Sequence, residues 1–109
     1  CNVMTQPGET TGYGLTEHVE ALLRHCPGLR LSFILANGSP VPEATLTRYR
    51  SEGAEQVAIP PAGEKVLPCP VLVENLLGSG EPLRHDGVKT AGVLQSLFRR
   101  ARLAASASW

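Results

Sequence analysis

The spacing of apolar residues changes period several times along the chain. Leu15, Val19, Leu22, Leu23 and Cys26 recur at i, i+4, i+7, i+8 and i+11, one face of a helix over 15–26. Pro27 and Gly28 stop it. The run from Leu29 to Ala36 is short and mostly apolar and ends at Asn37 and Gly38, which predicts a buried strand over 31–36 and then a turn. A second helix is predicted over 41–52. Its first turn tolerates proline, Glu43 suits the positive end of the dipole, and Leu46 and Tyr49 share the inner side. Gly53 then falls where a left-handed cap belongs. Short strands follow at 57–59 and 71–73, separated by a Pro- and Gly-containing connection over 60–70. After a polar loop over 78–85, Asp86 is placed to cap a helix over 87–103. That helix carries Val88, Ala91, Leu94, Leu97, Phe98 and Ala101 on one side. Cys1 to Met4 reads as the end of a buried strand.

Strands alternating with helices predict an α/β fold with a mostly parallel sheet. Residues 1–103 form the domain, and 104–109 are expected to be a flexible tail. Crossovers of one hand would bring the loops over 5–14, 37–42, 60–70 and 75–85 to one edge of the sheet. Ligands of open α/β sheets bind at that edge, outside the carboxyl ends of the strands. Since the chain begins inside an expected strand, an N-terminal part of the same protein is an expected structural partner.

Charge and composition narrow the function classes. Ten Lys and Arg balance ten Asp and Glu. A nucleic-acid or membrane-surface role that works by charge alone needs a basic excess. No run of apolar residues is long enough to span a bilayer. Cys1, Cys26 and Cys69 are widely spaced, odd in number and form no metal-type cluster, which predicts reduced, incidental thiols in a cytoplasmic chain.

The loop over 5–14 carries the strongest chemical signal. It holds Thr5, Gln6, Gly8, Glu9, Thr10 and Tyr13, between a strand and a helix N-terminus. Its backbone N–H groups and hydroxyls are candidates to hold a phosphate or a sugar. Neither a P-loop nor a dinucleotide fingerprint is present. Asn37 ends the first full strand on the same edge, and Arg84 offers a planar, bidentate donor just before the last helix. Tyr49 either packs or stacks on a base. His18 and His25 lie seven apart, not at the four-residue spacing of a helical metal pair, and no nucleophile elbow occurs. No catalytic or metal-ligating set is assigned.

Taken together, three blocks resemble a known family. Cys1-Asn2-Val3-Met4-Thr5-Gln6-Pro7-Gly8-Glu9-Thr10, then Gly12-Tyr13 and Glu17-His18-Val19, resemble the opening signature of the gluconeogenesis factor (YvcK) family, of the CofD-like superfamily. Tyr49 to Val57 resembles its Y-x-x-E-G-A-x-P-V block, with Gln56 in place of proline. Arg84-His85-Asp86 resembles its R-H-D block, with Gly87 where proline often follows. Members are about three times this long, so the chain resembles the C-terminal third of a Rossmann-like three-layer fold. The resemblance implies a cytoplasmic bacterial protein that binds UDP-N-acetylglucosamine and links gluconeogenic carbon metabolism to cell-wall synthesis and cell shape. It implies Tyr49 and Arg84 at the nucleotide-sugar site, and it leaves room for cell-wall precursor enzymes or further copies of the protein as partners. It implies binding and regulation without a settled catalytic activity. The competing reading is an enzyme, a CofD-type 2-phospho-L-lactate transferase.

Overall fold

The computed structural model describes residues 1–61, 67–80 and 82–107. The elements run α1 (Leu15–His25), β1 (Ile34–Asn37), α2 (Glu43–Ser51), β2 (Val71–Glu74) and α3 (Gly87–Ala107). β1 and β2 pair in parallel, with Ile34 opposite Val71 and Asn37 opposite Glu74. Their connection contains α2, as a parallel pair requires a crossover. The fold is α/β, and both strands end on the same edge.

Two apolar clusters hold these elements. In one, Leu15 and Val19 of α1 meet Ile34 and Ala36 of β1 and Val57, with Leu23, Leu31, Ile59 and Val71 packed around them. In the other, Leu46 of α2 meets Val3, Met4 and Val41, with Tyr49, Leu77 and Leu83 against them. This second cluster floors the site described below. α1 is anchored at its start, where Leu15 N donates to Ala58 O at 2.8 Å. α2 ends at Gly53, whose φ of 83° is open to glycine without strain, and the N–H groups of Gly53 and Ala54 cap the helix on Arg50 O and Tyr49 O. Asp86 caps α3 through Lys89 N to Asp86 Oδ1, 2.9 Å, as its position before the helix predicts.

Four expectations need correction. Residues 57–59 form no strand. Only one antiparallel bridge, Met4 to Gln56, joins this stretch to the N-terminal segment, through Val57 N to Val3 O and Thr5 N to Glu55 O. Pro60 and Pro61 follow at once and lack the N–H groups a ladder needs. The N-terminal segment is likewise a single bridge, not a strand, although Val3 and Met4 are buried and the Cys1 nitrogen lies 2.9 Å from Leu35 O. On α1 the predicted inner face is only partly used. Leu22 is exposed, and Cys26 lies beyond the last turn, also exposed. Finally, of the tail expected over 104–109, residues 104–107 continue α3, and 108–109 lie outside the described residues. Ala104, Ala105 and Ala107 have the best intrinsic helix propensity, so nothing stops the helix at Leu103.

The apolar side of α3 is mostly uncovered: Val88, Leu94, Phe98 and Leu103 are exposed, as is Val73 of β2. The radius of gyration, 15.6 Å, exceeds the roughly 13 Å of a compact chain of this length because α3 extends away from the core.

Candidate functional site

A crevice of about 420 Å³ opens beside the second apolar cluster. One wall is the N-terminal segment, Asn2 to Gln6. The other is Tyr49 of α2 with Pro82, Leu83, Arg84 and His85 from the loop after β2. The two walls lie far apart in sequence and meet because that loop leaves the carboxyl end of the parallel pair. Val3, Met4 and Leu83 give the crevice an apolar floor. Asn2, Thr5, Gln6, Tyr49, Arg84 and His85 supply polar groups around it. The lining is thus mostly polar over an apolar floor, which suits a polar small molecule better than an apolar one.

The loop carrying Arg84 is built as an arm. Gly78 N donates to Arg84 O at 2.9 Å, Asp86 N donates to Leu76 O at 2.6 Å, and Leu77 bridges His85 in antiparallel fashion. A side chain at Gly78 would bring Cβ to 3.1 Å from Arg84 O, so the close approach of the two limbs calls for glycine there. Lys89 Nζ donates to Leu77 O at 3.0 Å and ties the base of the arm to α3. At its tip, Leu83 N donates to Tyr49 Oη at 2.8 Å. Tyr49, near the end of α2, thereby reaches the same edge as Arg84.

Of the nine residues singled out by sequence, the crevice gathers Thr5, Gln6, Tyr49 and Arg84. Thr5 is buried, and its Oγ1 accepts Glu55 N at 2.8 Å, which joins the first wall to the turn after α2. Gly8, Glu9, Thr10 and Tyr13 do not line it. Their loop folds on itself: Gln6 N donates to Thr10 Oγ1 and Gly8 N to Thr11 Oγ1, while Glu9 N and Thr10 N both donate to Gln6 O and Tyr13 N donates to Thr10 O. Five of the loop's backbone N–H groups are thus engaged within it, two by threonine hydroxyls and three by backbone carbonyls. Tyr13 packs edge-on against His18, with ring centroids 5.5 Å apart, and His18 Nδ1 lies 2.8 Å from Gly14 O.

Asn37 is buried and also stands apart from the crevice lining. Its Oδ1 accepts Ser39 N at 3.2 Å and Leu76 N at 3.1 Å, and its Nδ2 donates to Ser39 O at 2.9 Å. Those bonds fasten the end of β1 to the start of the arm. Two polar lining residues, Asn2 and His85, were not among those nine. The signal for His85 was its place beside Arg84. Its imidazole is half-buried, burial lowers its pKa below the usual range, and its buried Nε2 lacks a hydrogen-bond partner among the described residues. Among the described residues no group of three or more His, Cys, Asp or Glu comes together to hold a metal ion, and no helix is long and apolar enough to cross a membrane.

The crevice lies beside the loop that leaves the carboxyl end of the parallel pair, the edge at which open α/β sheets place their ligands. The sequence model of the family described as "2-phospho-L-lactate transferase CofD" matches residues 1–77, and the chain belongs to the CofD family. Its relatives there bear the name gluconeogenesis factor. A relative from Thermotoga maritima is 41% identical over 91% of this chain and 32% of its own length. The Bacillus subtilis gluconeogenesis factor is 33% identical over 91% of this chain and 32% of its own length. The crystal structure of a UPF0052-family protein from Bacillus halodurans superposes with a TM-score of 0.77 at 32% identity, covering 85% of this chain and 30% of that one. The chain spans about a third of the length of the curated relatives it matches.

Proposed function

We propose that the crevice binds a nucleotide sugar, UDP-N-acetylglucosamine, and that the protein acts as a binding and regulatory factor linking gluconeogenic carbon metabolism to cell-wall synthesis and cell shape. One observation carries the reading. Thr5 and Gln6, Tyr49, and Arg84, each from a different one of the three family-like blocks, converge on a single crevice. A guanidinium beside hydroxyl and amide groups suits a ligand with both phosphate and sugar, since Arg pairs with phosphate through two parallel N–H bonds. The gluconeogenesis-factor relatives favour this reading over transfer chemistry. The transferase reading is kept by the description of the matching family model. Calorimetric titration of the natural-length protein separates them. Saturable binding of UDP-N-acetylglucosamine without turnover is the expected result. Transfer of 2-phospho-L-lactate from a nucleotide-activated donor, with no affinity for the UDP sugar, would overturn it.

A further inference from the structure

Arg84 is exposed and lies on an arm, so what holds the arm decides where the guanidinium stands. The two limbs of the arm are tied to each other by Gly78 N to Arg84 O and by the Leu77–His85 bridge. Those bonds fix the shape of the arm but not its place against the rest of the molecule. Its base is tied to β1 by Leu76 N to Asn37 Oδ1 and to α3 by Lys89 Nζ to Leu77 O, whereas next to Arg84 the hydrogen bond to another element is Leu83 N to Tyr49 Oη, 2.8 Å, across 34 residues of sequence. Tyr49 is suited to that work. Its ring is half-buried against the second apolar cluster, where Leu83 also packs, so few rotamers are open to it. The Arg48 guanidinium lies over the same ring, 5.7 Å from its centroid.

We propose that Tyr49 is a positioning residue for Arg84, its phenolic oxygen accepting the Leu83 N–H and so fixing the arm that carries the guanidinium at the crevice. The proposal rests on the nucleotide-sugar reading of that crevice, but its structural half does not need a ligand. A phenol oxygen that receives a backbone N–H keeps its own proton, so the bond does not remove Tyr49 from the crevice lining. It gives the hydroxyl a second role, acting on the ligand through its neighbour.

The test is Tyr49→Phe in the natural-length protein, which deletes one oxygen and keeps the ring. Without ligand, hydrogen exchange at the Leu83 amide should quicken roughly three- to tenfold, the equivalent of one neutral hydrogen bond, while the amides of α1 stay within about twofold. Unchanged exchange at Leu83 would overturn the proposal. So would equal quickening in α1, which would make Tyr49 a general stabiliser. With UDP-N-acetylglucosamine as the probe, Tyr49→Phe should weaken binding by roughly three- to tenfold when Arg84 is present, and by less than about twofold in an Arg84→Ala background. An equal loss in both backgrounds would mean that the hydroxyl acts on the ligand directly and would overturn the positioning role. Absence of binding by the wild type would instead remove the nucleotide-sugar reading, and exchange at Leu83 would then decide the structural half by itself.

Discussion

Replacing Asn37 by alanine should destabilise the protein by roughly 2–5 kcal/mol while leaving ligand affinity nearly unchanged. The magnitude follows from what the amide holds. Its Oδ1 accepts Leu76 N at 3.1 Å, and Leu76 is 1% exposed, so water cannot replace the lost acceptor. A buried N–H left without a partner costs about 1–3 kcal/mol. The two bonds to Ser39, at 3.2 and 2.9 Å, are worth less, about 0.5–1 kcal/mol each, because Ser39 is half-buried and can turn to water. Asn37→Leu refills the volume but supplies no acceptor, so it should recover little. Urea denaturation of the natural-length protein reads both variants, with an unchanged slope showing that stability alone has moved. A loss below about 1 kcal/mol, or full recovery with leucine, would refute the reasoning, since the effect would then be one of packing. A large loss of UDP-N-acetylglucosamine affinity at unchanged stability would make Asn37 a ligand contact.

Two further outcomes can be measured alongside it. Asp86→Ala removes the side-chain acceptor for Lys89 N at the start of α3 and should cost about 1 kcal/mol by the same urea assay, with Asp86→Asn retaining most of it. Burial lowers the His85 pKa below its unfolded value of 6.5, so the folded state takes up its proton less readily than the unfolded chain. The stability tied to neutral His85 is present above about pH 6.5 and falls as the pH drops through the folded pKa, and His85→Gln should flatten that part of a stability–pH profile.

How far the sequence could be read depended on the kind of signal. Helix α1 was legible because five apolar residues kept a helical period, and Gly53 and Asp86 marked helix ends through backbone rules that need no tertiary information. The stretch over 57–59 was not, since apolar character suggested a strand but Pro60 and Pro61 allowed only one bridge to form. Periodicity showed that α1 and α3 are amphipathic, yet it cannot say which residues find a partner. Leu22 and Phe98 keep the predicted pattern and remain exposed. In the candidate site, Arg84 stood out by its place in the loop before the last helix and Tyr49 as one of few aromatics, the family-like blocks joined them to one ligand, and their meeting depends on a bond between residues 34 apart, which no local rule predicts. Thr10 and Asn37 were legible as polar groups on the ligand edge, and the folded arrangement adds that each accepts a backbone N–H, a use that no local pattern announces.

In the proposed function, Arg84 pairs with a phosphate of the ligand in the crevice. Calorimetric titration of the natural-length protein with UDP-N-acetylglucosamine, comparing wild type with Arg84→Ala and Arg84→Lys, tests it most directly. Loss of a charge-assisted hydrogen bond of about 1.5–3 kcal/mol should weaken binding roughly ten- to a hundredfold in the alanine variant. Lysine should restore only part of it, because an ammonium lacks the planar fork. Binding by the alanine variant equal to that of the wild type would contradict the account.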